Sequence, residues 1–381
     1  MINFTRPWED ADLSSFRNTV GRFVEKEIVP DELASRQRGH VQPDLWKRLG
    51  AAALLCTDIP EEFGGLGGDY RHDAIIQEEL ARRGLTSLGI QAHSITAHYL
   101  LNHGTEEQKR KYLPRMARGE LVGAIAMSEP GTGSDLKAIQ AHARKEQDHY
   151  VLNGSKVFIS NGMLGNLMVV VCKTDREAGT RGISLIIVET EQCSGFRFGK
   201  LLDKMLWKGQ DTSEFFLEDA KVPCENLLGP IEGRGFAQLM HDLGYERLGV
   251  AVTALAAMEG ALEQTVSYVR ERKTFGRPIF DYQNTRFKLA DVATQISVGR
   301  AMVDRCIGEL VAGTLDPTTA AMAKLWASEA QGRVMDECLQ LFGGYGLMNE
   351  YMISRFYVDA RGPRIWAGTN EIMRDIIARA L

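Results

Sequence analysis

The most restrictive feature of this sequence is the order in which its hydrophobic periodicity changes. From about Asp10 to Leu121 apolar residues recur at helical spacing, as in LSSFRNTVGRFVEKEIVP, where the pattern ends at Pro30. Runs rich in β-branched residues, such as NLMVVVCKT and RGISLIIVET, follow in the middle of the chain. Long helical patterns return at 233–272, 283–312, 317–342 and 369–380. The order is helical, then β, then helical.

A chain of 381 residues is too long for one ordinary core, so these textures predict separate domains. We predict an α+β multidomain fold with an N-terminal helical domain at 1–121 and a middle antiparallel β domain, a small barrel or sandwich, at 122–231. The C-terminal domain, 232–381, is predicted to be a four-helix bundle, because its helices are long and its connections short. Within HYVLNGSKVFIS, the Asn153-Gly154 pair predicts a hairpin turn.

Charge and composition exclude several classes of partner and compartment. A net charge of -5 and a pI near 6.0 give no electrostatic reason to bind nucleic acid or anionic lipid. The longest apolar runs are strand-sized, so no membrane insertion is expected. The six cysteines form no CxxC motif, and MINFTRPWEDADL has no signal or transit character. We therefore expect free thiols and a cytoplasmic protein.

The common catalytic and binding motifs are missing from the sequence. It contains no GxGxxG motif opening a βα unit and no GxxxxGK followed by Ser or Thr, so neither a Rossmann site nor a P-loop is supported. It has no GxSxG elbow. The eight histidines form no HExxH or comparable cluster, so no metal site is expected.

Four other segments carry weaker signals. The loop AMSEPGTGSDL (126–136) concentrates small residues and hydroxyls that could surround a planar heterocycle or a phosphate, although spacing alone favours an ordinary turn. The cations of ERKTFG (271–276) could neutralise a pyrophosphate or balance the dipole of the preceding helix. The glycines of LQLFGGYG (339–346) allow close approach to the backbone, although a plain C-cap of the preceding helix is the commoner explanation. WAGTNEIMR (366–374) predicts a last helix with Thr369 as its N-cap and Glu371 in its first turn.

Together with VLNGSKVFISNG and RPIFDYQ, these segments in this order resemble the acyl-CoA dehydrogenase family from about residue 10 to the C-terminus. The similarity is especially close to the long-chain type in NHGTEEQ (102–108), NGSKVFISNG (153–162) and AKLWASE (323–329). The resemblance implies a helical, β and four-helix-bundle domain order, which agrees with the periodicity. It also implies FAD bound partly across a subunit interface of a homotetramer.

The resemblance also implies which residues bind the cofactor. Those that would line or pack against the flavin are Met127, Ser128, Gly133, Ser134, Phe158, Ile159 and Ser160. Those that would come from a neighbouring subunit are Arg272, Thr274, Phe275, Gln283, Gln340, Gly343 and Gly344. Thr369, Asn370 and Glu371 would complete the site. Medium-chain relatives carry Trp at the position of Phe158, and either aromatic ring can cover a flavin face.

The position of the catalytic base departs from the common family pattern. Many members carry a carboxylate directly before the GT of the last motif, where this chain has Ala367. Glu246 lies instead on an apolar stripe of the 233–272 helix, three residues after Leu243 and four before Val250. Burial there would raise its pKa and suit a base, although a buried Glu paired with an Arg is the alternative. Long-chain and isovaleryl-type relatives keep their base in a similar ERL segment, so the resemblance favours Glu246.

The expected reaction is α,β-dehydrogenation of a saturated, medium- to long-chain fatty acyl-CoA to the trans-2-enoyl-CoA in β-oxidation, with electrons passed to an electron-transferring flavoprotein. Substrate-side residues would be Ser134, Tyr245, Arg247, Trp366 and Ala367, whose N–H could bind the thioester carbonyl. Small residues at Ser87-Leu88-Gly89 would permit a longer chain. The alternatives are a branched or isoprenoid acyl-CoA substrate and a non-redox protein that only binds acyl-CoA.

Overall fold

The N-terminal part of the chain is helical in the computed structural model, which describes residues 4–381. Its helices are α1 (Ala11–Phe23), α2 (Glu32–Arg38), α3 (Asp44–Ala51), α4 (Tyr70–Arg82), α5 (Ile90–His103) and α6 (Glu106–Ala117). The first helical pattern does not end cleanly at Pro30, because α1 continues into a π-helical turn at Val24–Ile28 and a 3-10 turn at Val29–Asp31. Pro30 lies inside that last turn, where its missing N–H is tolerated.

The middle part forms strands. They are β1 (Gly123–Ala126), β2 (His142–Glu146), β3 (His149–Ser160), β4 (Leu167–Lys173), β5 (Ile183–Glu189), β6 (Phe196–Leu201) and β7 (Thr212–Pro223). They make one seven-stranded sheet in the order β1-β4-β2-β3-β7-β6, with β5 paired to β4. Most pairs are antiparallel, as predicted, but β4 runs parallel to β1 and, at a single bridge, to β2.

The C-terminal part is helical again, which confirms the predicted order of textures. Its elements are α7 (Gly235–Glu271), the short strands β8 (Lys273–Thr274) and β9 (Arg277–Pro278), α8 (Gln283–Val311), α9 (Pro317–Phe342), α10 (Met352–Asp359) and α11 (Asn370–Ala378). The four long helical patterns predicted from the sequence correspond to α7, α8, α9 and α11. Helix α9 starts with Asp316 as N-cap and a proline in its first turn, a favoured combination.

Compactness divides the described residues into two units. The first unit comprises the described residues up to Val29 together with Tyr70–Leu85 and Gly244–Leu381. The second unit comprises Pro30–Asp69 and Thr86–Leu243 and contains the sheet. The segment boundaries predicted at 121/122 and 231/232 stay predictions. Among residues 4–381, no helix combines the length and the apolar character that a membrane span requires.

The predicted hairpin turn at Asn153-Gly154 is wrong. Strand β3 runs straight through these residues, and its pairing with β7 shifts register between Leu152 and Gly154, which marks a bulge. Gly154 has φ 150, and a Cβ there would lie 2.6 Å from the Cβ of Ala141. Glycine is therefore needed at this position because Ala141 packs closely against its backbone. Asn153 Oδ1 accepts a hydrogen bond from the Asp219 backbone N–H at 3.0 Å.

Candidate active site

The loop that follows β1 in the second unit is anchored by a buried ion pair. The Lys156 ammonium donates to Glu129 Oε1 at 2.9 Å and to the Met127 carbonyl at 3.0 Å, and Lys156 is fully buried. Glu129 also accepts the backbone N–H groups of Gln140 and Ala141 at 2.6 and 3.0 Å. The Glu129 carboxylate therefore joins the start of the loop to its end at Gln140 and Ala141.

The middle of that loop is open. Gly133 and Ser134 are exposed, and a Cβ added to Gly133 would meet no atom within 4 Å. The Ser128 carbonyl accepts the backbone N–H of Val157 at 3.0 Å, which brings the loop next to Phe158. The half-buried Met127 and Ser128 thus lie next to the end of β3, and Gly133 and Ser134 lie in the exposed part of the same loop.

Phe158 is presented to the outside by a second irregularity of β3. Pairing with β7 shifts register between Lys156 and Ile159, and Phe158 takes φ 62, a left-handed conformation that costs a non-glycine residue about 1–2 kcal/mol. As a result its ring is 68% exposed, whereas the next residue, Ile159, is buried in the sheet core. The Ile159 side chain therefore packs inside, which leaves only its backbone for the predicted contact with the ligand. Ser160 is half-buried and pairs with Thr212.

This group of residues fits a flavin. An exposed aromatic face beside a loop with free space at Gly133 suits a flat, partly apolar ring system. The loop's small residues leave backbone groups accessible to the polar edge of such a ring.

The residues expected to serve a neighbouring subunit lie on the surface of the first unit. Phe275 and Gly276 form a tight turn between β8 and β9 with φ 48 and 84, and the Phe275 ring is 97% exposed. The Thr274 carbonyl accepts the Tyr282 hydroxyl at 2.7 Å. Gln283, Gln340, Gly343 and Gly344 are exposed as well.

Arg272 lies close to the glycine-rich segment. Its guanidinium is 5.5 Å from the ring centroid of Tyr345, a residue of the 3-10 turn Gly343–Leu347. The structure therefore brings ERKTFG and GGYG together in the first unit. Gly343 has φ 58 and terminates α9, so a C-cap role is present as well.

The last predicted segment begins α11 as expected. Thr369 is the N-cap and accepts the Ile372 N–H at 3.4 Å, and Glu371 is in the first turn. Hydrogen bonds from its own backbone N–H and from Thr369 lower the pKa of Glu371. Asn370 is different, since it is buried and its amide bonds Ser328 and Glu329. Asn370 thus joins the start of α11 to α9 through buried hydrogen bonds.

The two residues before Thr369 have an unusual backbone. Ala367 and Gly368 take φ 53 and 83 in succession, so the chain makes a left-handed bend there. The half-buried Trp366 ring packs directly over Gly362, where a Cβ would lie 2.0 Å from the ring. The Ala367 N–H thus lies directly after the packed Trp366 and at the start of the left-handed bend.

Glu246 lies inside the first unit on α7, as the apolar stripe predicted. Glu246 is 6% exposed and its neighbour Arg247 is 5% exposed. Burial lowers the pKa of Arg247, and the negative charge of Glu246 opposes that effect. Arg247 Nε has no hydrogen-bond partner within residues 4–381. A buried guanidinium with an unsatisfied donor is uncommon and marks a candidate binding site.

Tyr245, also expected on the substrate side, has its hydroxyl engaged elsewhere. It donates to Asp73 Oδ2 at 3.0 Å, and its ring meets Tyr70 edge-on at 5.1 Å between centroids. In the second unit Ser87 and Leu88 are buried, and the Gly89 carbonyl accepts from Asn161 at 2.9 Å. The role of these residues at an acyl pocket stays a prediction.

Lys324 on α9 was not predicted as a site residue. It is fully buried, and its ammonium donates to the Gly368 carbonyl at 2.7 Å and to Asn370 Oδ1 at 2.9 Å. The signal was present in the sequence, because AMAKLWA places one cation in a run of small and apolar residues on a helix.

The structure also assembles a polar cluster that sequence spacing does not show. In the second unit His103, His241 and Asp242 bring three potential metal-ligand atoms within 4.8 Å of one another. Asp242 accepts hydrogen bonds from Asn102 and His103 at 2.6 and 2.7 Å and contacts His241 at 3.1 Å. Hydrogen bonding therefore accounts for the cluster, and the expected absence of a metal stays a prediction.

Comparison with known proteins covers nearly the whole chain. Family models match at 10–120 (acyl-CoA dehydrogenase, N-terminal domain), 124–220 (middle domain) and 233–381 (C-terminal domain). The long-chain specific acyl-CoA dehydrogenase of Mus musculus mitochondria is 44% identical over 96% of this chain and 85% of its own length. Other relatives are short-chain and isovaleryl enzymes.

Solved structures agree with these matches. An acyl-CoA dehydrogenase from Geobacillus kaustophilus has a TM-score of 0.96 and 44% identity, with 99% of each chain covered. A glutaryl-CoA dehydrogenase from Mycobacterium smegmatis in complex with FADH2 has a TM-score of 0.90 and 26% identity, covering 97% of this chain and 94% of its own. The predicted fold class, helical then β then helical, is confirmed as the three-domain fold of these proteins. The chain therefore belongs to the acyl-CoA dehydrogenase family of FAD-dependent oxidoreductases.

Proposed function

We propose that the enzyme dehydrogenates saturated, medium- to long-chain fatty acyl-CoA to the trans-2-enoyl-CoA and that Glu246 is its catalytic base. Two facts taken together carry the proposal: Glu246 is a buried carboxylate, and Ala367, at the usual position of the base, has only a methyl side chain. Desolvation makes a carboxylate a stronger base, which suits a residue that removes a proton from carbon. Glu246 is buried within the first unit.

Removal of the α proton requires stabilisation of the charge that moves onto the thioester oxygen. The Ala367 backbone N–H would donate to that oxygen, and this role needs no side chain. Arg247 would add a positive charge on the side of the base. Its unsatisfied Nε makes it available to a polar group of the substrate.

FAD, when bound, supplies the acceptor for the hydride that leaves the β carbon. Phe158 would cover one face of the ring system, while Met127, Ser128, Gly133, Ser134 and the backbone of Ile159 and Ser160 would hold its edge. Arg272, Thr274, Phe275, Gln283, Gln340, Gly343 and Gly344 would bind FAD of a neighbouring subunit. All of these residues except the half-buried Thr274 are exposed on the first unit, which supports such a role.

Several further statements belong to the same proposal. Electrons would pass to an electron-transferring flavoprotein, the enzyme would work in fatty acid β-oxidation, and it would be a cytoplasmic homotetramer. The exposed Phe275 ring, which a monomer would leave in water, supports assembly with a second copy.

A branched or isoprenoid acyl-CoA is the second candidate substrate. Isovaleryl-CoA dehydrogenases, among them the Solanum tuberosum mitochondrial enzyme, are relatives of this chain. The placement of the base on the equivalent of α7 does not separate the two substrate classes. A non-redox, acyl-CoA-binding use of the fold is the third candidate, and the buried Glu246 argues against it.

Anaerobic flavin bleaching tests the function and the substrate together. The FAD-loaded protein is mixed with short, medium and long straight-chain acyl-CoA, with isovaleryl-CoA, and with an aromatic acyl-CoA as the matched negative substrate. We expect rapid bleaching with medium and long straight chains. Faster bleaching with isovaleryl-CoA would favour the branched substrate, and no bleaching with any acyl-CoA that binds would favour the non-redox protein.

A further inference from the structure

We propose that Lys324 is a positioning residue of the reaction, because its ammonium holds the Gly368 carbonyl and thereby fixes the Ala367 N–H that would bind the thioester. This inference rests on the proposed function of Ala367. It adds a residue on α9, in the first unit, that makes no predicted contact with substrate or cofactor.

Lys324 is not explained by ordinary ion pairing. It forms no salt bridge within residues 4–381, and both of its acceptors, Gly368 O and Asn370 Oδ1, are uncharged. A buried ammonium without a carboxylate partner is costly, since desolvation is offset only by neutral hydrogen bonds. Burial and the nearby positive charge of Arg247 lower the pKa of Lys324 to about 8. An apolar side chain of equal length would avoid this cost.

The acceptors of Lys324 lie on both sides of Thr369. Gly368 is the second residue of the left-handed bend, and Asn370 is the first residue of α11. Asn370 is itself tied to α9, because its amide donates to Ser328 Oγ at 3.0 Å and to Glu329 Oε1 at 2.9 Å. The ammonium therefore fastens the start of α11 and the end of the bend to the same helix.

Ala367 is the residue that depends on this arrangement. Its φ of 53 is unfavourable for a residue with a Cβ, so neighbouring contacts must maintain it. On its N-terminal side the Trp366 N–H donates to Gly362 O at 3.3 Å and the Trp366 ring covers Gly362. On its C-terminal side the Gly368 carbonyl is held by Lys324. Loss of the ammonium would release one side and let the Ala367 N–H rotate.

The test measures the hydrogen bond to the thioester directly. The FAD-loaded enzyme is saturated with a 2-enoyl-CoA product labelled with ¹³C at the thioester carbonyl, and the infrared band of that carbonyl is recorded. Lys324→Met keeps the side-chain length and removes the donor. Lys288→Met, which removes a lysine paired with Glu337 at the surface of α8, is the matched control.

We expect the band in the parent to be shifted to low frequency and the shift to fall by at least about half in Lys324→Met. In the same variant kcat should fall about 30-fold with little change in KM. Removal of one oxyanion donor lowers kcat by roughly 100- to 1000-fold, and the effect should be smaller here because the Ala367 N–H is displaced rather than removed. Lys288→Met should match the parent in both. A folded Lys324→Met whose band and kcat stay within twofold of the parent overturns the inference.

A titration of the parent decides the matter if Lys324→Met does not fold. The groups whose charges act on Lys324 are Arg247 on α7, Glu329 on α9 and Glu371 on α11, and the pKa of Lys324 itself is about 8. A neutral amine is a weaker donor than an ammonium, so the carbonyl shift should weaken as pH rises through about 8. A band unchanged from neutral pH to well above 8 overturns the inference. If the parent binds no acyl-CoA, the proposed function fails and the inference fails with it.

Discussion

Two groups of buried charges in the first unit differ in how completely they are paired. The first group, here called the paired network, centres on Glu78, Glu259 and Arg300. Arg300 donates to Glu78 and Glu259 at 2.6 Å each, and Arg6 bonds the remaining oxygens of both carboxylates at 2.7 and 2.8 Å. Arg17 adds a further bond to Glu78 at 2.8 Å.

The second group, here called the site group, consists of Glu246, Arg247 and Lys324. It has a donor without an acceptor at Arg247 Nε and an ammonium bound only to neutral oxygens. The pKa of Arg300 in the paired network and the pKa values of the two basic residues of the site group move in opposite directions. Burial by itself would lower the pKa of Arg300, but Glu78, Glu259 and Asp304 raise it, whereas the pKa values of Arg247 and Lys324 are lowered.

The difference indicates two uses of a buried charge. A fully hydrogen-bonded network compensates the desolvation of its members and fixes the packing of α4, α7 and α8. Cations such as Arg247, with an unsatisfied donor, and Lys324, bound only to neutral oxygens, are retained at a cost, which is characteristic of residues reserved for a ligand or a reaction. The comparison predicts that substitutions in the paired network reduce stability, and that substitutions in the site group reduce activity.

The largest stability effect is expected for Glu78→Gln. The change removes the carboxylate that contacts Arg300, Arg6 and Arg17 together, and breaking a buried pair costs about 3–5 kcal/mol. The unfolding free energy should fall by that amount in urea denaturation. The control is Glu263→Gln, whose partly exposed pair with Arg82 should contribute at most about 1 kcal/mol. Equal losses in the two variants would remove the distinction on which the comparison depends.

The paired network also predicts a loss of stability in acid. Burial alone would raise the pKa of Glu78, but Arg300, Arg6 and Arg17 lower it to about 2. Because the folded pKa lies below the ordinary value of 4.5, the contribution is complete above pH 4.5 and is lost as pH falls towards 2. For this group the loss is about 3 kcal/mol. Denaturation curves between pH 6 and 2 should show that loss in the parent and a smaller one in Glu78→Gln.

The smallest stability effect is expected for Arg247→Met. Its guanidinium is incompletely hydrogen-bonded, so an apolar replacement of similar size should leave the unfolding free energy within about 1 kcal/mol or raise it. Turnover should fall at least about 10-fold, since a buried, ligand-directed charge is lost. Arg300→Met, the matched change in the paired network, should lose about 3 kcal/mol or more. A strongly destabilised Arg247→Met with normal turnover would place Arg247 with the structural charges.

Sequence patterns predicted the helices of the C-terminal part well, because each long amphipathic repeat is local information. The burial of Glu246 followed from the same stripe. The turn expected at Asn153-Gly154 failed for a different reason. Local preference favoured a hairpin, but pairing of β3 with β7 and the approach of Ala141 set the conformation of Gly154.

The parts of the site that depend on distant contacts could not be read from spacing. The bond from Lys324 to Gly368 joins residues 44 positions apart, and the left-handed bend at Ala367 has no sequence signature, since alanine disfavours it. The exposure of Phe158 likewise arises from a bulge in β3 rather than from its neighbours in sequence. Motif resemblance indicated Phe158 and Ala367 but not Lys324, and the geometry of all three required the fold.

The most direct test of the account is the rate of anaerobic flavin reduction by a saturating acyl-CoA in Glu246→Gln, with Glu263→Gln on the same helix as the control. We predict that Glu246→Gln binds FAD and acyl-CoA as the parent does, while reduction is slower by about 1000-fold, within the 100- to 10,000-fold range for loss of a general base. The control should reduce at the parent's rate. A folded, FAD-loaded Glu246→Gln that is reduced within threefold of the parent's rate would contradict Glu246 as the base.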